Sequence, residues 1–374
     1  MNKIKDRMSV SKEAVLNALA NVIEPDLKKD IIALNLMKDL QIEGNNISFT
    51  LELSNPAMHS KKRMEEAILF QLKRVIEGEF NLDINFKGIE NKANPSLRKV
   101  LPGVKNIIAV ASGKGGVGKS TIASNMAVGL AKKGYKVGLI DADVYGPSAP
   151  TMFDLTQHKP MAVEIEGKDY IDPVEAYGVK VLSVGFFIKQ DEAIIWRGAM
   201  ATKAINQLLS DAWWGDLDYM VIDLPPGTGD VHLTFVQTIP ITGAVIVSTP
   251  QEVALADARK GVNMFKQDNI NVPVLGIVEN MAYFTPEELP ENKYYIFGKD
   301  GAKNLAQDLN VSLLAQIPIV QSIRESGDGG RPAILQENTI SSNAFEKMVD
   351  KIEEEVNKRN VLFPPTEIVR ITQY

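Results

Sequence analysis

The run Ile107-Ile108-Ala109-Val110-Ala111-Ser112-Gly113-Lys114-Gly115-Gly116-Val117-Gly118-Lys119-Ser120-Thr121 decides the fold. Its first five residues form a short apolar stretch of strand type. Gly113 to Ser120 then fits G-x-x-x-x-G-K-[ST], the pattern of a phosphate-binding loop. Ile122, Met126 and Leu130 follow at helical spacing, with Ala123, Ala127 and Ala131 beside them, and Gly134 closes the helix. A buried strand therefore runs through a glycine-rich turn into a helix N-terminus. The glycines let backbone amides approach an anion, and the positive end of the helix faces the same way. Gly113, Lys114, Gly115, Gly116, Val117, Gly118, Lys119, Ser120 and Thr121 are the expected nucleotide cradle. Lys119 is expected at the β- and γ-phosphates and Ser120 at Mg²⁺.

Downstream of Asn106, apolar runs alternate with helical stretches. The strand candidates are 107–111, 137–141, 179–184, 219–223, 244–248, 274–278 and 313–317. Continuous apolar strands between helices indicate an α/β fold, a mainly parallel sheet covered on both faces. Ligands of such sheets bind at the carboxyl ends of the strands, where the remaining polar signals fall. Asp141 and Asp143 end one strand, and two acids at i and i+2 share one side of an extended chain. One can assist Mg²⁺ while the other orients water. Tyr219-Met220-Val221-Ile222-Asp223 ends in a single acid suited to act on Mg²⁺. In the Leu224–Asp230 loop, Gly227 can present its amide to a γ-phosphate and respond to hydrolysis. Asn280 can bond an adenine edge, and the backbone near Pro318 can line a base pocket.

Residues 8–90 read as a small α+β domain. It comprises a helix capped by Ser11, strands 36–42 and 47–53 around the Gly44-Asn45-Asn46 turn, a helix near 61–77 and a closing strand 82–86. Residues 91–105, with Pro95, Pro102 and Gly103, read as a linker, 106–358 as the nucleotide-binding domain and 359–374 as an irregular tail.

A net charge of −6 argues against a protein that coats nucleic acid or an anionic membrane through bulk charge. No apolar run reaches the ~20 residues of a spanning helix, and the opening residues lead into no signal core, so a cytoplasmic setting is expected. With no cysteine, thiolate metal sites, disulfides and cysteine nucleophiles from this chain are excluded. His59, His158 and His232 show no ligand spacing and read as ordinary surface or core histidines.

Lys114, just after the first glycine, makes the loop resemble the deviant Walker A loop of the MinD/ParA/nitrogenase-reductase class. With the Asp141–Ser148, Trp196-Arg197-Gly198, 217–230, Thr249-Pro250-Gln251, Gly276–Met281 and 317–328 blocks added, nearly the whole chain resembles the Mrp/ApbC family of P-loop ATPases. These are described as iron–sulfur cluster carriers, and residues 8–90 resemble their accessory domain. The resemblance implies ATP as substrate, a homodimer sandwiching two nucleotides, and iron–sulfur client or scaffold proteins as partners. It implies catalytic roles for Lys119, for Lys114 acting in trans and for Asp143 positioning water. Asp141 and Asp223 would support Mg²⁺ and Asn280 would contact adenine. The chain departs from the family's Cys-x-x-Cys after the Glu-Asn-Met block: Ala282 to Pro290 holds no thiol, and Pro56-Ala57-Met58 stands where an accessory-domain cysteine is common. Iron–sulfur clusters are normally held by thiolates. The alternative is a MinD/ParA-like, nucleotide-gated switch or scaffold that carries no cluster itself.

Overall fold

The computed structural model describes residues 11–24, 29–53, 58–76, 78, 80–88, 100–188, 198–268, 270–286, 288–289 and 291–366. Residues 91–99 of the expected linker, Pro56 and Ala57, Trp196 and Arg197, Glu287 and residues 367–374 lie outside them. Two compact units emerge, one of residues up to Lys92 with Asn357–Pro364, the other from Ala93 to Val356 with Pro365 onward.

The small unit runs α1 (Lys12–Leu19), β1 (Ile23–Glu24), β2 (Lys29–Asp30), β3 (Met37–Glu43), β4 (Asn46–Leu53), α2 (Met58–Val75) and β5 (Asn81–Gly88). The Ser11 hydroxyl accepts the Ala14 amide at 3.1 Å and starts α1. Gly44, at φ 62, makes the turn between antiparallel β3 and β4. β4 and β5 are parallel, so α2 serves as their crossover. Met64, Ile68 and Leu72, spaced by one helical turn, bury on Val15, Leu19, Ile47, Phe49 and Leu51 to make this unit's own core. Val361 packs against the same core.

The large unit begins with β6 (Val104–Ser112), α3 (Lys119–Lys132), β7 (Val137–Asp141), α4 (Ala149–Met152), β8 (Met161–Ile165), β9 (Lys168–Asp172), β10 (Val174–Ala176) and β11 (Val179–Ser183). It continues with α5 (Gly198–Ser210), β12 (Leu217–Asp223), α6 (Asp230–Thr238), β13 (Gly243–Ser248), α7 (Glu252–Lys266) and β14 (Val274–Glu279). α8 (Gly301–Asp308), β15 (Leu313–Gln316), α9 (Gln321–Asp328) and α10 (Ile340–Leu362) close it. The main sheet has the order β10-β11-β7-β12-β6-β13-β14-β15, parallel except for the edge strand β10. Every residue of β7 and β13 is buried, as expected of strands covered on both faces. Chain order reverses about β6, which lies between β12 and β13. Its carboxyl end is therefore the topological switch point, where such sheets bind ligands.

Three features depart from the sequence reading. β6 begins at Val104, inside the stretch expected as linker. The last helix reaches Leu362, inside the stretch expected as an irregular tail, and Arg359, 7% exposed, donates to the Pro364 carbonyl at 2.8 Å. The β8–β9 hairpin and β10 were not foreseen. Glu166 and Gly167 form the hairpin turn with φ of 53° and 78°. Its strands are polar and largely exposed, so they lack the continuous apolar signature of the buried strands.

Candidate functional site

Four strand ends build the site. β6 delivers the glycine-rich loop, and β12, β7 and β14 deliver Asp223, Asp141 and Asn280 beside it. Gly113 is required by packing: a Cβ there would sit 2.3 Å from the backbone carbonyl of Asp257 on α7. Gly116 and Gly118 have φ of 79° and 82°, in the left-handed region, and Gly118 opens α3. The loop is held from both sides. Asn280 donates its side-chain amide to the Val117 carbonyl at 2.8 Å, and the Ser112 hydroxyl donates to the Lys114 carbonyl at 2.9 Å. The Gly227 amide donates to the Ser112 carbonyl at 2.9 Å, tying the Leu224–Asp230 loop to the start of the cradle.

At the centre lies Lys119, the first residue of α3 and only 6% exposed. Its ammonium donates to Asp223 Oδ1 at 2.5 Å, lies 3.5 Å from Asp143 Oδ2 and is 3.4 Å from the Ser120 hydroxyl. Asp223 and Asp141 are register partners on adjacent parallel strands, so two buried carboxylates stand side by side. Burial, first, and the neighbouring Asp223 charge push the Asp141 carboxyl up to about 6. Burial also raises Asp223, while Lys119 opposes that rise.

The acids divide their work differently from the sequence expectation. Asp141 spends both oxygens inside the protein. Oδ1 accepts the Asp143 amide at 3.2 Å; Oδ2 accepts the Ser148 and Ala149 amides at 3.0 Å and the Ser183 hydroxyl at 2.9 Å. Its geometry is that of a post around which the 143–149 loop is wound. Asp143 has Oδ1 turned to the Tyr145 and Gly146 amides, at 3.2 and 3.3 Å, and Oδ2 turned to Lys119. Asn280 is 7% exposed, and one N–H of its side-chain amide is bonded to the loop backbone. Pro318 follows β15, and the Ile317 amide bonds the Glu279 carbonyl at 2.8 Å, which sets Pro318 at the strand end beside Asn280. Lys114 is half-buried, Gly115 and Gly116 are exposed, and Thr121 holds the Asn125 amide through its carbonyl at 2.8 Å.

Among the described residues no three His, Asp or Glu side chains are gathered as a metal cage. Mg²⁺ does not need one, since it is commonly held by one or two carboxylates, water and substrate phosphates. Asp223 and the adjacent Ser120 hydroxyl fit that mode; three donors occupy Asp141 Oδ2, and its Oδ1 accepts a single amide. A thiolate-held cluster does not fit this chain. The segment after Met281 is an aromatic turn in which Phe284 and Tyr294 exchange backbone hydrogen bonds at 2.8 and 2.9 Å and stack at 6.4 Å.

With this geometry in place, similarity to known proteins becomes informative. Residues 103–353 match the family described as "NUBPL iron-transfer P-loop NTPase". The chain belongs to that family. Residues 12–82 match a second family, described as "Iron-sulfur cluster assembly protein". The iron-sulfur cluster carrier protein of Synechocystis is 43% identical over 345 residues, spanning 91% of this chain and 96% of that one. The iron-sulfur cluster transfer protein NUBPL of Dictyostelium discoideum is 49% identical, covering 72% and 82%. Among solved structures, a nucleotide-binding protein from Archaeoglobus fulgidus in complex with ADP superposes with a TM-score of 0.55. It is 39% identical and covers 66% of this chain and 93% of its own. The match covers the main sheet and its phosphate loop, and a small α+β unit precedes them in sequence. No helix among the described residues is long and apolar enough to cross a membrane.

From its sequence His232 reads as an ordinary surface or core histidine. It lies on α6, directly after the Gly227 loop, and is 2% exposed. Among the described residues neither ring nitrogen has a partner at full hydrogen-bond geometry, although the Gly229 carbonyl interacts with the ring and favours its protonated form. Its place just beyond the loop was the available signal.

Proposed function

We propose that this chain binds ATP with Mg²⁺ in the cradle of residues 113–121, hydrolyses it slowly, and uses the cycle to hand iron–sulfur clusters to client proteins. The observation that carries this is the buried Lys119 ammonium, held between Asp223 and Asp143 at the N-terminus of α3. On substrate binding, Lys119 turns to the β- and γ-phosphates, whose charge replaces that of the carboxylates. The loop amides and the helix N-terminus bind the same oxygens. Asp223 and Ser120 would hold Mg²⁺, which neutralises charge on the β- and γ-phosphates. Asp143 keeps one oxygen for the attacking water, while Asp141 fixes the loop that carries it. Water forms the new bond to the γ-phosphorus as the bond to the bridging oxygen breaks. ADP leaves, and the water's protons go to inorganic phosphate and solvent. The Gly227 amide exchanges its bond to the Ser112 carbonyl for one to the terminal phosphate, so the loop moves with the reaction. Asn280 braces the cradle, and Pro318 borders the base.

A second copy of the chain would supply Lys114 in trans. The domain assignment follows the same reading with its bounds moved: an accessory domain at 8–90 joined by 357–364, a linker that ends before Val104 and an ATPase domain from Val104 to Val356, in a cytoplasmic protein. Cluster thiolates cannot come from this chain, which has no cysteine. The cluster is therefore cargo on a partner's ligands, and the ATPase acts as the switch between donor and acceptor. That same absence favours, as second reading, a scaffold that gates partners without cluster passage. Anaerobic transfer from a loaded scaffold to an apoprotein, followed by absorption beside ATP turnover, tests this. ATP-dependent acceleration of transfer that Lys119→Ala and Asp143→Ala abolish is expected. Turnover without any effect on transfer favours the gating scaffold, and no turnover sinks both.

A further inference from the structure

His232 is a buried polar group whose ring nitrogens meet no partner at full hydrogen-bond geometry among the described residues. Buried polar atoms nearly always have partners, and exceptions ask for a reason. Two ordinary reasons fail here. The ring is not an ion-pair member: burial first, then the Lys119 charge, hold it neutral, down to about 4, against the opposing pulls of the Gly229 carbonyl and Asp143. Nor is it apolar filling, because a neutral imidazole still presents one N–H donor and one acceptor. Ser148, on the loop wound around Asp141, likewise has a buried hydroxyl without a partner. Among the described residues, polar atoms without a partner thus stand on two segments, each continuous with a loop of the site. A neutral N–H close to an ammonium suits an incoming anion that the ammonium also binds, since it adds a hydrogen bond without adding charge.

We propose that His232 is a further residue of the nucleotide site, whose ring N–H binds an oxygen of the terminal phosphate and thereby couples α6 and the Gly227 loop to the presence of that phosphate. The proposal rests on the reading of residues 113–121 as an ATP cradle. It makes the distinction between triphosphate and diphosphate a property of α6 as well as of the Gly227 amide.

The test compares binding of ADP and of the β,γ-imido analogue of ATP, each with Mg²⁺, to wild type, His232→Phe and His232→Gln. The Phe variant should lose about tenfold in affinity for the imido analogue, the size of one hydrogen bond, with ADP affinity within about twofold of wild type. Glutamine, which keeps an N–H donor, should restore most of the loss. Equal losses for both nucleotides, or none, would overturn the proposal. If the Phe variant does not fold, wild type decides by nuclear magnetic resonance of its three histidine rings. One ring nitrogen should shift with the imido analogue and not with ADP; no triphosphate-specific shift overturns the inference. Wild type that binds neither nucleotide refutes the ATP cradle itself, a result distinct from loss of selectivity.

Discussion

Lys119 shows how one residue serves stability and chemistry together. Asp223 is 2% exposed and its carboxylate relies on this ammonium at 2.5 Å. Removing one partner of a buried pair costs about 3–5 kcal/mol, because the other charge is left unpaired. Lys119→Ala should therefore lower stability by roughly 3 kcal/mol at neutral pH, and by less at pH 5, where the abandoned carboxyl takes a proton. Urea titrations at the two pH values read this; an equal loss at both would show that Asp223 is not the cause. His232 makes a pH prediction of opposite origin. Its folded value, about 4, lies below the usual 6.5, so the unfolded chain binds the proton first. The stabilising effect is complete above 6.5 and is lost as pH falls through about 4. A shift of that size is worth roughly 3 kcal/mol. His232→Gln should flatten the fall in stability between pH 6.5 and 4 relative to wild type, and parallel pH curves would contradict it. The cradle residues could be read from their spacing, but the division of labour between Asp141 and Asp143 could not. Both are aspartates at a strand end, and only the folded positions of the Ser148, Ala149 and Ser183 donors decide which one is used up.

At the scale of elements, α3 is packed on every side. Small residues let neighbours come close: a Cβ on Gly129 would meet Ile334 Cδ1 at 2.5 Å and Val349 Cγ2 at 2.6 Å. Both side chains are about 1% exposed and cannot swing into solvent. Alanine gains about 1 kcal/mol of helix propensity, whereas overpacking a filled core costs about 1–3 kcal/mol. Gly129→Ala should be net destabilising. Gly261, inside α7, is the control, because its nearest obstacle is Ile246 Cδ1 at 4.0 Å. There the propensity gain is unopposed, and Gly261→Ala should stabilise by up to about 1 kcal/mol. Paired thermal melts check the contrast, and two shifts of the same sign would refute it. The apolar period of α3 was legible because it presents an inward face at helical spacing. The β8–β9 hairpin was not, since exposed strands carry no burial pattern to read.

At the scale of the whole molecule, the chain is two cores. The end of α10 belongs to the small one, for Val361 packs against it although it lies far from it in sequence. Val361→Asp should therefore lower the calorimetric transition of the small unit by a few degrees, the effect of about 1 kcal/mol on a domain of that size. The transition of the main sheet should stay within error, and a shift confined to that second transition would contradict the assignment. The sequence alone determined the α/β class, the strand–loop–helix cradle and the absence of any thiolate, because these depend on local period, motif spacing and composition. Tertiary structure alone decided which strand lies beside which, and with it the pairing of Asp141 and Asp223, the brace from Asn280 to Val117 and the unmet nitrogens of His232. These contacts join residues distant in the chain. Their partners are chosen by sheet order and burial, quantities that no local window of sequence contains.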